Sequence, residues 1–319
     1  MKAGVIGASG YSGGELLQLL INNSKFELTY IAAGSSAGTS ITELHPGLTK
    51  LAGQKFESTN LAGMSKCDLL FFALPHGESA KWITQLGPTV KVVDLGADFR
   101  LSSAEQWRKY YGGSHAGTFT YGLPELPGAR AEIANEVRIA NPGCYATSIV
   151  LGALPAIKHN LIDAHDLVVV AASGTTGAGR NPKVNLLASE VMGNLTSYKF
   201  GGVHQHIPEI EQALSKVSGK DVKISFTPIL APMPRGILAT ISARVLAPLT
   251  NEKAHEIYSE TFEGEPFVHV LPEGQLPQTN AVNGTNSTHI QIAVDEHTSR
   301  LTISVALDNL GKGAAHQAV

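Results

Sequence analysis

The chain has 319 residues, of which 43% are hydrophobic and 16% charged, so it is long enough for two domains with apolar cores. Its formal net charge of −3 argues against nucleic-acid binding through a basic face. No apolar run reaches the roughly 18 residues of a membrane span, and the two cysteines are too few for a disulfide framework, so we expect a reducing, cytoplasmic setting.

The first part of the chain, up to about residue 140, alternates between short apolar runs and helical segments. It starts directly with an apolar strand, so we expect no signal peptide. Leu16, Leu17, Leu19, Leu20 and Ile21 give the first helix its apolar face. The predicted strands are 2–8, 26–33, 68–74 and 91–97, and 78–86 is predicted as a crossover helix. Continuous apolar strands between helices are typical of a parallel sheet covered on both faces.

After about residue 145 the predicted strands become longer. They are 167–173, 223–230, 236–246 and a hairpin pair that turns around 296–299, with helices near 208–217 and 252–262. This pattern predicts an α+β domain with a mixed or antiparallel sheet.

The predicted fold is therefore a doubly wound, Rossmann-like domain followed by an α+β domain. We place the first domain at 1–143 and the second at 144–310. The final residues, from about 311, read as a helix cut short, so we expect the natural chain or its last helix to extend further.

A glycine-rich turn, "GASGYSGGEL" at 7–16, follows the first strand and opens the first helix. Gly7, Gly10 and Gly13 are spaced G-x-x-G-x-x-G, which differs from the usual G-x-G-x-x-G. Glycine allows a tight turn in which backbone N–H groups approach a pyrophosphate, and the helix N-terminus adds partial positive charge. The turn predicts dinucleotide binding, and a purely structural turn is the alternative.

The end of the second strand indicates which dinucleotide binds. An NAD site usually has an acidic residue there for the ribose 2′-hydroxyl, whereas "AAGSSAG" at 32–38 has none. The hydroxyls of Ser35 and Ser36 could accept a 2′-phosphate, which a carboxylate would repel. The sequence therefore favours NADP, although the loop could also be a plain turn of small residues.

Cys144 lies in "NPGCYAT", between a strand that ends at Pro142 and Gly143 and a helix that begins near Tyr145. Unpaired N–H groups and the helix dipole at such a position lower the pKa of a thiol, and the thiolate is the nucleophilic form. A small buried residue is the alternative, and it is the preferred interpretation of Cys67.

A nucleophilic cysteine needs an acid–base partner, and "HQHIPEI" offers two histidines. His204 and His206 lie two residues apart, so in an extended chain they project to one side. Pro208 and Glu209 fall in the first turn of the next helix, where Glu209 could orient an imidazole. We favour His206 as the acid, and His204 would then contact substrate or phosphate. A pair of surface histidines and a zinc site are alternatives, but no third metal ligand has suitable spacing.

Three arginines lie beside turns marked by glycine or proline. They are Arg100, Arg180 and Arg235. A guanidinium binds phosphate and carboxylate with two hydrogen bonds, so together they favour an anionic substrate.

These residues occur in motifs that resemble one family. "GASGYSGGEL", "ALPHG", "ADFRL", "YGLPEL", "NPGCYAT", "SGTTGAGR", "HQHIPEI" and "DNLGKGAA" resemble N-acetyl-γ-glutamyl-phosphate reductases, in the expected order and across nearly the whole chain. "DNLGKGAA" is shared with aspartate-semialdehyde dehydrogenases. The early C-terminal stop is the main departure from the family, in which the terminal helix, here from about 311, continues and packs back on the cofactor domain. The resemblance implies an NADP-binding domain at 1–143 and a domain for catalysis, substrate binding and oligomerisation at 144–310.

The resemblance implies NADPH-dependent reduction of an acyl phosphate to an aldehyde, with release of phosphate, in arginine biosynthesis. Cys144 would form a thioester, and a histidine would act as general acid on the oxyanion that follows hydride transfer. Asn309 would hold the nicotinamide, and Leu74 and Pro75 would line the cofactor.

The full predicted site follows from the motifs and the resemblance. The catalytic residues are Cys144, His204, His206 and Glu209. The cofactor residues are Gly7, Ser9, Gly10, Tyr11, Ser12, Gly13, Ser35, Ser36, Leu74, Pro75, Gly177 and Asn309. The substrate residues are Arg100, Tyr121, Glu125 and Arg180. No metal is expected. We expect a homodimer or a homotetramer.

Two other functions remain open at this point. A related reductase of aminoadipyl or aspartyl phosphate would share the cysteine chemistry and differ only in its pocket. A non-catalytic NADP-binding sensor would not need both the activated cysteine and the paired histidines.

Overall fold

The computed structural model describes residues 1–319, which form two compact units. Unit 1 comprises Met1–Leu123, Ala129–Pro142 and Ala314–Val319. Unit 2 comprises Pro124–Gly128 and Gly143–Gly313. None of the helices has the length and apolar character that crossing a membrane requires.

Unit 1 is built on a sheet of seven strands with helices between them. The strands are β1 (Lys2–Ile6), β2 (Glu27–Ala33), β3 (Glu57–Ser58), β4 (Leu69–Phe72), β5 (Lys91–Asp94), β6 (Thr120–Tyr121) and β7 (Arg138–Ala140). The helices are α1 (Tyr11–Leu20), α2 (Ile41–Leu44), α3 (Leu61–Met64), α4 (Ser79–Ile83), α5 (Ala104–Tyr110) and α6 (Ala129–Asn135).

The strands of this sheet are all parallel and follow the order β3-β2-β1-β4-β5-β7-β6. The helix α1 buries Leu16, Leu17 and Leu20 against it, so the periodic leucines of the sequence form its inner face. The chain order reverses between β1 and β4, and doubly wound sheets bind ligands at the carboxyl ends of the strands at such a point. The predicted Rossmann-like fold is confirmed.

Unit 2 is built on a second sheet of seven strands. The helices are α7 (Cys144–Lys158), α8 (Ala188–Val191), α9 (Ile207–Ser218), α10 (Asn251–Thr261) and α11 (Thr279–Val282). The strands are β8 (Leu167–Ser173), β9 (Thr196–Ser197), β10 (Ile224–Leu230), β11 (Ile237–Arg244), β12 (Val268–Val270), β13 (Thr288–Asp295) and β14 (Arg300–Leu307).

The second sheet is mixed, as predicted, in the order β12-β13-β14-β11-β8-β10-β9. The strand pairs β10–β8 and β12–β13 are parallel, and the other pairs are antiparallel. The helix α7 is buried from Tyr145 to Ile157 and lies on one face of the sheet. It packs closely there because a Cβ at Gly152 would lie 2.6 Å from Val305. The sheet therefore fixes the helix that begins with Cys144.

Several predicted bounds differ from those of the structure. The strands predicted as 2–8, 68–74 and 91–97 end at Ile6, Phe72 and Asp94. Their last predicted residues form the loops at the carboxyl edge of the sheet. The helix predicted at 78–86 spans only Ser79–Ile83.

Two further differences concern the ends of helices. The helix α5 was not predicted, although Ser103 caps it by accepting a hydrogen bond from the Gln106 N–H at 3.2 Å. The final segment forms a π-helical turn, Gly311–Ala315, and one α-helical turn, His316–Ala318. Ala315 and Ala318 pack in the apolar core that also contains the leucines of α1.

Candidate active site

The glycine-rich turn of unit 1 is held against the ends of two strands. The N–H groups of Gly7 and Ala8 both donate to Ala32 O of β2, at 3.0 and 2.9 Å. Gly7 has a φ of +83°, and a Cβ there would collide with Ala73 O, so only glycine fits this turn. A Cβ at Gly13 would in turn collide with Gly7 O, so α1 lies directly on the turn.

The turn leaves room for a ligand at Gly10. A Cβ at this position would meet only Gly7 O, at 3.5 Å, and Gly10 is the N-cap of α1 without a side-chain cap. The N–H groups of the first helical turn have no acceptor within the helix. Open space beside these donors fits a pyrophosphate, so the residues present suit a dinucleotide cofactor.

The other predicted cofactor residues of unit 1 lie around this turn or at strand ends. Leu74 follows β4, and its Cδ2 would lie 3.1 Å from a Cβ at Gly7. Pro75 is exposed beside it. Ser35 is exposed and Ser36 half-buried just after β2, where no carboxylate follows the strand. The sequence prediction for this part of the site therefore has a consistent geometry.

Cys144 is the first residue of the helix α7, as the sequence predicted, and its side chain is half-buried. Gly143 is the N-cap in an extended conformation, and no side chain caps the helix. Gly313 packs on the cysteine, since a Cβ there would lie 2.8 Å from Cys144 Cβ. The thiol thus lies where the helix dipole stabilises a thiolate.

His206 is the N-cap residue of α9 and lies next to this junction. A Cβ at Gly143 would lie 2.5 Å from His206 Nε2, so the imidazole packs against the residue that precedes the cysteine. Glu209 is 0% exposed, and its Oε1 accepts a hydrogen bond from the Gly143 N–H at 2.7 Å. Glu209 therefore holds the start of α7 beside the start of α9, which brings the predicted nucleophile and acid together.

His204 lies in a buried, aromatic environment. It is 6% exposed, and its ring packs edge-on against Tyr145, Tyr198 and Phe226 at 5.0–5.8 Å between centroids. Its Nδ1 accepts a hydrogen bond from the His206 N–H at 3.1 Å. Burial, then the neighbouring His206, lowers the pKa of His204 to about 2. His204 is therefore a neutral ring that positions His206, and its contact with substrate or phosphate stays a prediction.

Asn309 is buried beside the turn at Thr176. It is 2% exposed, its Oδ1 accepts from the Gly236 N–H at 2.8 Å, and its Nδ2 donates to Thr176 Oγ1 at 3.0 Å. The bond to Thr176 uses one of the two N–H groups of the amide, and the contact with the nicotinamide stays a prediction. Gly177 lies in the same turn and is exposed.

Two of the three arginines hold protein groups. Arg100 is 3% exposed and donates to Asn141 O at 2.7 Å and to Leu95 O at 2.8 Å, and its contact with substrate stays a prediction. Arg235 forms a two-bond ion pair with the fully buried Asp308, at 2.6 and 3.2 Å. Arg180 alone is exposed, next to the 3₁₀ turn Thr175–Ala178.

The two remaining substrate candidates lie in different surroundings. Tyr121 is half-buried in β6 of unit 1. Glu125 of unit 2 forms a buried ion pair with Lys312 through Oε1, whereas its buried Oε2 has no hydrogen-bond partner in the structure. Lys312 was not singled out from the sequence. A lysine between two glycines carries no signal of burial, because its partner is distant in sequence.

Both units match families of known proteins. A family model described as "Semialdehyde dehydrogenase, NAD binding domain" matches residues 2–135, which supports a nicotinamide cofactor. A second model, described as "Semialdehyde dehydrogenase, dimerisation domain", matches residues 144–309.

Solved structures with the same fold are aspartate semialdehyde dehydrogenases. The Vibrio cholerae enzyme II, complexed with ASA, has a TM-score of 0.73 and 18% identity, and the match covers 99% of this chain and 95% of that one. The Candida albicans enzyme with NADP has a TM-score of 0.71 and 15% identity, over 98% and 96% of the two chains. At these identities the similarity establishes the fold alone.

Curated relatives of much higher identity are named N-acetyl-gamma-glutamyl-phosphate reductase. The Acidothermus cellulolyticus protein is 55% identical over 318 residues, which cover 100% of this chain and 93% of the relative. The Mycobacterium avium and Streptomyces coelicolor proteins are each 49% identical, over 100% of this chain and 92% and 93% of theirs. On this evidence the chain belongs to the N-acetyl-γ-glutamyl-phosphate reductase family of the semialdehyde dehydrogenases.

Proposed function

We propose that this chain reduces N-acetyl-γ-glutamyl phosphate to N-acetylglutamate semialdehyde with NADPH and releases phosphate. The single observation that carries the proposal is the junction at which Cys144 begins α7 and His206 packs against Gly143. We assign cofactor binding to unit 1 and the covalent chemistry to unit 2.

The first step uses the position of the thiol. The Cys144 thiolate attacks the acyl carbonyl, a C–S bond forms, and the C–O bond to phosphate breaks with the electron pair leaving on phosphate. The half-buried Sγ needs to be ionised for this attack, and the N-terminus of α7 stabilises that charge. The product of the step is a thioester and inorganic phosphate.

The second step needs a proton at the oxygen of the thioester. When bound, the nicotinamide supplies the hydride that reduces the thioester carbon. His206 donates a proton to the oxyanion that develops and accepts a proton again when the carbonyl re-forms. The C–S bond then breaks, and the electron pair returns to the Cys144 thiolate. The candidates for contact with the substrate are Arg100, Tyr121, Glu125 and Arg180.

The preference for NADPH rests on the end of β2. Ser35 is exposed there, and a Cβ at the preceding Gly34 would meet nothing within 4 Å, so the loop has room for a 2′-phosphate. We expect Ser35→Asp to repel that phosphate and shift the ratio of kcat/KM values toward NADH. Equal wild-type kcat/KM values for the two cofactors would contradict the preference.

A homo-oligomer is supported by the uncovered face of the second sheet. Val168, Val170 and Leu238 of the neighbouring strands β8 and β11 are 43%, 42% and 36% exposed. Adjacent exposed apolar side chains on a sheet are typical of a surface that a second copy covers.

The deciding experiment is the oxidation of NADPH by the purified protein in the presence of acyl phosphates. We expect turnover with N-acetylglutamyl phosphate, and with N-acetylglutamate semialdehyde, phosphate and NADP in the reverse direction. Aspartyl phosphate and aminoadipyl phosphate serve as the comparison. A higher kcat/KM for either would reassign the substrate, and no turnover with any of the three would favour a sensor.

A further inference from the structure

A histidine outside the predicted site holds the glycine-rich turn from behind. His45 follows α2, and its Nε2 lies 2.9 Å from Ala8 O. Nε2 is the donor, because a carbonyl oxygen can only accept. The residue is itself fixed, since its N–H donates to Ile41 O at 2.8 Å and its ring meets Phe56 edge-on at 6.1 Å.

The same ring explains a glycine that the phosphate-binding pattern does not require. Gly14 lies in the first turn of α1, and a Cβ there would lie 2.6 Å from His45 Cε1 and 2.7 Å from Nδ1. The imidazole therefore occupies the space of the missing side chain. His45 contacts the turn at Ala8 and the helix at Gly14, on both sides of the residues that would meet a pyrophosphate.

The bond to Ala8 O fixes the direction of a backbone donor. A trans peptide is planar, so the N–H of Ser9 points opposite to the Ala8 carbonyl, away from His45. The N–H groups of Gly7 and Ala8 both donate to Ala32 O. The next N–H after β1 is that of Ser9, and the orientation of the Ala8–Ser9 peptide plane sets its direction.

We propose that His45 is a positioning residue for the dinucleotide: by holding Ala8 O, it keeps the Ser9 N–H and the start of α1 aimed at the cofactor pyrophosphate. The inference rests on the proposed function, since it assumes a nicotinamide dinucleotide in unit 1. NADPH and NADH share the pyrophosphate and differ at the 2′-position. A residue that acts through the turn must therefore affect both equally.

The test measures dissociation constants of NADPH and NADH by cofactor fluorescence, without turnover. His45→Ala should raise both dissociation constants about tenfold, which corresponds to ~1.4 kcal/mol for each cofactor. His45→Gln keeps an N–H at similar reach and should stay within about threefold of the wild type. The matched control is His115→Ala, which removes another half-buried histidine of unit 1 bonded to a backbone carbonyl, Leu101 O at 2.7 Å. It should leave both constants unchanged.

A second variant, in the helix α1, tests the same contact. Gly14→Ala should displace the ring and weaken both cofactors, whereas adding His45→Ala to it should cost nothing more, because the methyl then has space. This comparison holds even where His45→Ala lowers the thermal midpoint of the protein.

Three results would overturn the inference. Unchanged constants in His45→Ala would show that the turn does not need the bond. A loss confined to NADPH would place His45 at the 2′-phosphate instead. A wild-type protein that binds neither cofactor would overturn the proposed function itself.

Discussion

At the scale of single residues, Cys144 and Cys67 differ in environment rather than in chemistry. Cys144 begins a helix, whereas Cys67 is buried in unit 1, where burial and then Asp68 raise the pKa of its thiol to about 11. A thiol with that pKa stays protonated at neutral pH, so only Cys144 is suited to attack an acyl phosphate.

We therefore expect Cys144→Ser to lower turnover by roughly 10³-fold or more, because a serine hydroxyl does not ionise at this position. The NADPH dissociation constant should not change. Both quantities can be measured on the same preparation. Cys67→Ser is the control and should affect only the thermal midpoint; a comparable loss of turnover there would mean that the nucleophile is misassigned.

The two histidines are distinguished in the same way. His204 stays neutral across the working pH range, because its pKa is lowered to about 2, so it cannot supply the proton. We expect His206→Asn to lower kcat roughly 10²–10⁴-fold, the usual contribution of a general acid. His204→Asn keeps an acceptor for the His206 N–H and should lower kcat less than about tenfold.

Steady-state kinetics of the two variants decide between the histidines. A larger kcat loss in His204→Asn would exchange the two roles. A loss of only a few-fold in both would place the acid elsewhere. The sequence predicted that both histidines belong to the site, but it could not show which of them is the acid. The residues that bury His204 are Tyr145, Tyr198 and Phe226, and they lie in three different segments.

At the scale of elements, catalysis depends on how α7 and α9 begin side by side. Gly143 has a φ of −71°, which any residue adopts, so its requirement for glycine comes from close packing, in which the His206 ring is the nearest neighbour. We expect Gly143→Ala to push the imidazole away and to lower kcat about 10-fold or more, with an unchanged NADPH dissociation constant. Gly87→Ala is a suitable control because a Cβ there meets nothing within 4 Å.

The longer elements were predictable and the short ones were not. Apolar runs identified β1, β2, β4 and β5, and the periodic Ile210 and Leu214 identified α9. The two-residue strands β3, β6 and β9 were missed, because they are too short to show a period and are defined by their neighbours in the sheet. The resemblance in the motifs correctly identified the family and the fold.

Several predicted site residues have buried protein partners that the sequence could not show. Arg100, Glu125 and Asn309 stand in motifs that suggested ligands, and they also bond to Asn141, Lys312 and Gly236. A sequence motif indicates that a polar residue is required at a position. Whether that residue binds a ligand or another part of the protein depends on contacts between residues far apart in the chain.

At the scale of the whole molecule, the uncovered face of the second sheet sets the expected assembly. Val170→Lys would place a charge in the proposed contact, and we expect it to weaken self-association at least about 100-fold. Sedimentation at several concentrations measures this effect. Val137→Lys is the control, because Val137 is an equally exposed valine of unit 1. If both variants self-associate as tightly as the wild type does, the contact lies elsewhere.

The contact between Cys144 and Gly313 has a consequence for the order in which the site is made. These residues lie at the two ends of the long segment Gly143–Gly313 of unit 2, and yet a Cβ at Gly313 would lie 2.8 Å from Cys144 Cβ. During synthesis the chain leaves the ribosome from its N-terminus, so the thiol emerges long before the glycine that packs on it. A nascent chain therefore carries its nucleophile without the surroundings that orient it, and it acquires them only when the last turn of unit 2 has been translated.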